Sequence, residues 1–223
     1  ERYADVLFDF AWVDDFAAAR NAVLDRCTGD WYLTVDTDEW LDPKFYELVD
    51  FLKSNKQEQY DLASLIQRNY QDKNLRDYGD FFTVRLARRR GGKLRYEGAI
   101  HEVLTFSDRL AKSCRAFAQV ILHHDGYVDV SPKHIEEKKK RNMKLLRAEL
   151  EKDPRNIRVL LHCIDSAETD EEEQKYVEKT EAILKSQQNE QPVFSIIAYQ
   201  KCMQVHYNSR RMDRVLQCYE AWK

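Results

Sequence analysis

The sequence predicts an α/β unit followed by an all-α one. Two observations carry this. Up to Val128–Lys133, short β-rich segments alternate with amphipathic helical ones; beyond it, almost every segment has helical periodicity. The order strand, helix, strand, helix, strand is that of an α/β sheet. With 223 residues the chain is long enough for one or two domains with a true core. The boundary falls between residues 1–130 and 131–223.

In order along the first part, "ADVLFDF" predicts a strand. Asp14 and Asp15 then precede "FAAARNAVLDRC", an amphipathic helix with acids at its start and Gly29 as its stop. "WYLTVD" is a nearly continuous apolar run, as in a parallel strand covered on both faces. Pro43 opens a helix, "PKFYELVDFLKS". "YDLASLIQRNY" predicts another strand. "FFTVRLARR" and "LRYEGAIHEVL" predict two strands joined by a turn at "GGK". "AFAQVILHH" is a last strand, closed by "DGY".

The second part begins with a long helix, "SPKHIEEKKKRNMKLLRAELEKDP", stopped at Asp153-Pro154. Its "EEKKKR" reads as a solvated face with i,i+4 pairs. Four further helical segments follow with short connections, predicting stacked helical hairpins. The spacing of Ala182, Leu184, Ala198, Tyr199, Cys202, Leu216, Tyr219 and Ala221 has a tetratricopeptide flavour, in a degenerate form.

Charged residues make up 34% of the chain against 43% hydrophobic, the balance of a globular protein with a charge-rich surface. The net charge of -3 argues against a general binder of nucleic acid or membrane surface. No apolar run approaches the roughly 18 residues of a membrane span. Cys27, Cys114, Cys163, Cys202 and Cys218 are odd in number and never spaced as CxxC, which reads as reduced core thiols in a cytoplasmic protein.

The stretch "GDWYLTVDTDEWLDP" raises the functional question. A buried strand runs into Asp36, Asp38 and Glu39. Like charges so close together repel, so a positive partner is expected there. In open parallel sheets, ligands bind beyond the carboxyl ends of strands. An Asp-x-Asp at such a tip suits a hard divalent cation that also holds phosphate oxygens. A helix cap is the competing explanation, because acids ahead of "LDPKFYELV" favour the macrodipole.

The stretch "DDFAAARNAVLDRCTGDWYLTVDTDEWLDP" resembles the family-two inverting glycosyltransferases of the GT-A fold. So do "VRLARRRGGKLRYEGAIHEVL" and the "HDGY" of His124–Tyr127. The resemblance runs from about Tyr3 to Pro154. The helical tail is more loosely similar to the tetratricopeptide-like extension of one branch, which includes bacterial peptide S-glycosyltransferases. The fold implied is a GT-A (Rossmann-like) sheet with a C-terminal helical-hairpin domain. The family's first two strands, which hold uracil and ribose, have no counterpart here. The chain starts where the family's third element would start, so the sheet is expected to be truncated by roughly 50 residues, the span of two βα units.

The resemblance implies a metal-dependent glycosyltransferase. It would use a nucleotide-diphosphate sugar, expected to be a UDP-sugar, and a Mn²⁺ or Mg²⁺ ion. The acceptor would be a carbohydrate or a peptide or protein side chain, and transfer would invert the anomeric centre. Such a reaction needs a neutralised leaving group, a base for the acceptor proton, and alignment of the two. Asp36 and Asp38 are expected at the diphosphate, with Asp38 as the direct metal ligand. His124 would complete the metal site, and His123, one residue away on a strand, would face oppositely. Arg20 is expected to pair with Asp36 or to reach the donor phosphates, and Arg85 is the member of its cluster expected to meet the diphosphate or an acidic acceptor. A structural ion pair is the other reading for Arg20, and a solvated hairpin for the cluster Arg85, Arg88, Arg89, Arg90, Lys93 and Arg95. Glu39 reads as a solvated or capping acid. Glu102, in "IHE", is the expected general base, with His101 in the core or supporting it. The tail would bind a peptide, a protein or a second copy of the chain. The alternative is a non-catalytic interaction module built on the helical hairpins.

Overall fold

The structure, a computed structural model, describes residues 3–128, 130–186 and 192–223. It falls into two compact units, residues 1–135 and 136–223. In chain order the first contains α1 (Phe16–Leu24), β1 (Trp31–Leu33), β2 (Glu39–Leu41), α2 (Tyr46–Lys53), β3 (Leu62–Tyr70), β4 (Tyr78–Arg88), β5 (Leu94–Glu97), β6 (Val103–Phe106) and β7 (Cys114–His124). Five strands form one sheet in the order β1-β4-β3-β7-β2, and β5 pairs with β6 in a second. This is the α/β architecture expected, with helices following it.

Several local expectations are corrected. The large sheet is mixed: only β3 and β7 run parallel, and the other pairings are antiparallel. "ADVLFDF" is not a strand. It has no ladder partner among the described residues, and Val6 and Leu7 are exposed, so its apolar residues lack the face that would make them pair. β4 and β5 do not form a hairpin across "GGK". Each finds its partner elsewhere, β4 with β1 and β3, β5 with β6. α1 ends at Leu24, ahead of Gly29. α2 begins three residues after Pro43, and a short strand, β2, precedes it.

The position of β2 shapes the unit. β1 and β2 occupy opposite edges of the sheet, yet only six residue steps separate Leu33 from Glu39. Six steps reach at most about 22 Å. Crossing four strand spacings alone takes about 19 Å, and the register adds displacement along the strands: Leu33 lies level with Leu86 and Ala63, whereas Glu39 lies level with His124 and Asn69. The sheet therefore curls into a half-barrel, and Thr34–Asp38 stretches across it.

Two cores hold this shape. α1 packs Ala17 and Leu24 against Tyr32, Ala87, Leu94, Tyr96, Leu104 and Phe106. α2 packs Leu48 and Phe51 against Ala63, Leu65, Leu86, Phe117 and Val120. Truncating a fully buried leucine such as Leu86 would cost about 2–5 kcal/mol.

The second unit is helical: α3 (Pro132–Lys152), α4 (Ile157–Ser166), α5 (Asp170–Ser186), α6 (Pro192–Asn208) and α7 (Met212–Trp222). Asn156 caps α4 by accepting from Val159 N. Successive helices pack on one another from α4 to α7, burying Leu160, Cys163, Val177, Leu184, Ala198 and Cys202. Of the cysteines, Cys163, Cys202 and Cys218 are core thiols as expected. Cys114 is exposed at the start of β7, and Cys27 is half-buried.

Candidate active site

The site begins with α1. Asp15 caps it, accepting from Ala18 N at 2.8 Å. Asn21 then behaves like a neighbouring strand residue: its Nδ2 donates to Tyr96 O at 3.0 Å, and Tyr96 N donates to its Oδ1 at 2.9 Å. This pair fixes α1 on β5 and so aims Arg20. The Arg20 guanidinium donates to Thr34 Oγ1 at 3.1 Å and grips Asp36 at 3.0 and 3.2 Å. Its Nε donates to Glu102 Oε1. Burial works against the Arg20 charge, but Asp36 and then Glu102 outweigh it and raise the pKa further.

Arg85 meets the same segment from β4. It donates to Glu39 Oε1, to Gln67 Oε1 at 3.1 Å and to Asp36 Oδ2 at 3.4 Å. The Glu39 side chain is fully covered, and its other oxygen accepts from Asp36 N at 2.8 Å. Glu39 is therefore not the solvated acid expected; it folds the carboxylate-rich segment back on itself. Burial pushes its pKa up, beyond what the Asp36 amide and Arg85 offset. For Asp36, burial is again the largest influence, but Arg20 and then Arg85 overcome it and hold the pKa below the usual value.

Asp38 faces elsewhere. Its Oδ2 lies 3.3 Å from His124 Nε2. The other ring nitrogen, Nδ1, is 2.6 Å from Asn69 Oδ1, so the hydrogen-bond network assigns the proton to Nδ1. Either a proton on Nε2 or a metal ion between Nε2 and the carboxylate oxygen satisfies this contact. Gly126 lies beneath the pair: a Cβ there would be 2.3 Å from Asp38 Oδ2 and 2.6 Å from His124 Nε2. The donor set, one carboxylate and one imidazole nitrogen above a residue with no side chain, fits a divalent cation.

His123 points to the other face, with Nδ1 at 2.6 Å from Tyr70 OH and Nε2 at 3.6 Å from Asp42, and its ring stacks with Trp40. Glu102 precedes β6 in an irregular segment. Its side chain is largely covered, at 14% exposure. His101 is exposed, with φ of 51°; it does not enter the core, because this left-handed turn sends it outward while Glu102 meets Arg20.

Arg20, Asp36, Arg85 and Glu102 thus share one ionic network, and Asp38 with His124 forms a separate pair. The other cations of the Arg85–Arg95 cluster serve elsewhere: Arg88 binds Gln57 and Tyr60 O, Arg89 binds Gly29 O, Arg90 pairs with Asp30 and Arg95 with Asp25. Sequence reasoning gave Glu39 a different role, quoted Gly126 only as part of "HDGY", and missed Gln67 and Asn69. Only the alternation of polar Gln67 and Asn69 within an apolar strand signalled the last two.

Comparison with known proteins bears on this arrangement. Residues 7–107 match the sequence model of glycosyl transferase family 2. With the relatives below, this supports a glycosyltransferase. The family-2 region contains Arg20, Asp36, Asp38, Arg85 and Glu102; His124 lies beyond it. The chain is similar to the SPbeta prophage-derived glycosyltransferase SunS of Bacillus subtilis (strain 168), at 25% identity over 182 residues, 76% of this chain and 39% of that protein. It is equally similar to the glycosyltransferase SunS of Bacillus phage SPbeta. The chain spans about two fifths of the length of these curated relatives, 39%.

Proposed function

We propose that the protein is part of a metal-dependent inverting glycosyltransferase that moves a sugar from a UDP-sugar to a carbohydrate or peptide side chain. The observation that carries this reading is the Asp38–His124 pair, a carboxylate oxygen and an imidazole nitrogen 3.3 Å apart above Gly126. Asp38 and His124 would hold a Mn²⁺ or Mg²⁺ ion, which when bound neutralises the diphosphate leaving group. Arg20 and Arg85 hold Asp36 beside it and add positive charge at the same end of the site. Glu102 accepts the acceptor's proton as the acceptor lone pair attacks the anomeric carbon and the bond to the diphosphate breaks. Arg20 fixes the Glu102 carboxylate relative to Asp36, linking the donor and acceptor sides through one guanidinium.

The helical hairpins, read as tetratricopeptide-like, supply a surface for a peptide, a protein or a second copy of the chain. No helix among the described residues is long and apolar enough to cross a membrane. The unpaired cysteines support a cytoplasmic setting for the reaction. The test is a calorimetric titration with UDP, with and without Mn²⁺. Binding that requires Mn²⁺ is expected. A nucleotide that binds equally well without the ion would overturn the metal-dependent reading, and no binding in either condition would favour an interaction module.

A further inference from the structure

We propose that Glu181, His206 and Cys218 form a second cation site, of zinc type, inside the helical unit. Their side chains come from three successive helices, α5, α6 and α7, and one potential ligand atom from each lies within 4.8 Å of the others. His206 Nε2 is 2.8 Å and Cys218 Sγ 2.9 Å from Glu181 Oε1. His206 is fully buried, and Glu181 and Cys218 are 5% and 4% exposed.

Carboxylate, imidazole and thiol seldom meet in a core without cause, because taking each out of water is costly. Hydrogen bonding to Glu181 answers part of this cost only. A thiol is a weak donor, and His206 Nδ1 is buried with no hydrogen-bond partner among the described residues. The same three groups suit a borderline-soft ion that accepts sulfur, nitrogen and oxygen. A hard ion of the kind expected at Asp38 would not select the thiol. Ligand atoms around one tetrahedral zinc ion lie roughly 3.3–3.7 Å apart, from bond lengths of about 2.0–2.3 Å. The cluster would open by less than about 1 Å to admit it.

The surroundings are arranged for such an ion. Arg214 Nη2 holds the second carboxylate oxygen, Glu181 Oε2, at 2.5 Å, as the outer partner of a ligating carboxylate does. On binding, the Cys218 thiol releases its proton to solvent and the sulfur lone pair forms the metal bond. The thiolate and the Glu181 carboxylate then offset the two charges of the ion, and the Arg214 guanidinium leaves the cluster with one positive charge.

The test is a Co²⁺ titration of the metal-stripped full chain, followed by absorption spectroscopy. We expect a thiolate-to-cobalt charge-transfer band that saturates at one ion per chain and is displaced by Zn²⁺. The band should survive Asp38→Asn, which separates this site from the strand-tip one. It should vanish in Cys218→Ser, and Glu181→Gln should weaken cobalt binding by ~10-fold or more. A wild-type spectrum without the band, or a band that persists in Cys218→Ser, would overturn the proposal. The wild-type measurement stands even if a variant fails to fold.

Discussion

Two of the places where carboxylates meet cationic partners differ in access. At the strand tip, the Asp36 and Asp38 side chains remain 37% and 45% exposed. Among the helices, the Glu181 side chain is 7% exposed and faces His206, Cys218 and Arg214. An exposed ion pair contributes little to stability, about 0–1 kcal/mol, whereas removing one partner of a buried cluster leaves the others stranded in low dielectric. The contrast teaches that similar residue chemistry serves different ends. The open cluster can exchange its partners for a ligand, and the sealed one is bound up with the fold.

Substitutions can break this comparison. The largest effect expected is on folding: Glu181→Ala should cost about 3–5 kcal/mol, measured by urea unfolding of the metal-free chain. Asp38→Asn should show the reverse profile. Its melting temperature should stay near wild type, while sugar transfer falls roughly 10³-fold, the several kcal/mol that a bound cation supplies. If Asp38→Asn unfolds the protein instead, the strand-tip pair is structural and the contrast fails. Next in size, Glu102→Gln should lower transfer by ~10²-fold with Mn²⁺-dependent UDP binding retained. Loss of binding in that variant would place Glu102 on the donor side.

The smallest effect sharpens the comparison with a third carboxylate. Asp61 accepts from Arg109 at 2.7 and 2.8 Å and from Lys112 N at 2.6 Å. The Arg109 hydrogen bonds, against the opposing effect of burial, and then the Lys112 amide hold its pKa below the usual value. A depressed carboxylate pKa stabilises the fold above the unfolded pKa of about 3.9, and that contribution is lost as pH falls through the folded value. Asp61→Asn should therefore cost about 1–3 kcal/mol at pH 7, with a smaller deficit as the pH is lowered below about 4. Denaturant melts of both proteins across pH would show the difference shrinking; a constant gap would mean that the pairing does not depend on the charge of Asp61.

Legibility followed the range of the interactions. The helices of the second unit were readable because their periodicity and stop signals are local, as at Asp153-Pro154. Asp36, Asp38 and Arg20 were readable as candidates because charge in or beside an apolar element stands out in one dimension. Glu39 was misread. The residues before it, Asp36, Thr37 and Asp38, are acidic or polar, and the partner that meets it on the inner side, Arg85, lies 46 positions away. Gly126 carried no local sign of its role, since its constraint comes from Asp38 rather than from a turn. "ADVLFDF" misled for the opposite reason: its composition suits a strand, but composition does not supply a partner.

By itself the sequence determined the order of strand-forming and helix-forming segments, the change of character near Val128–Lys133, and the supply of carboxylates and cations at a strand tip. Those follow from backbone preference and periodicity, which act over a few residues. The tertiary structure alone decided that β1 and β2 lie on opposite edges of a curled, mixed sheet, that Arg85 joins Asp36 and Glu39, and that Glu181, His206 and Cys218 meet. These depend on which faces bury one another across long stretches of chain, and packing between distant segments leaves no trace in local pattern.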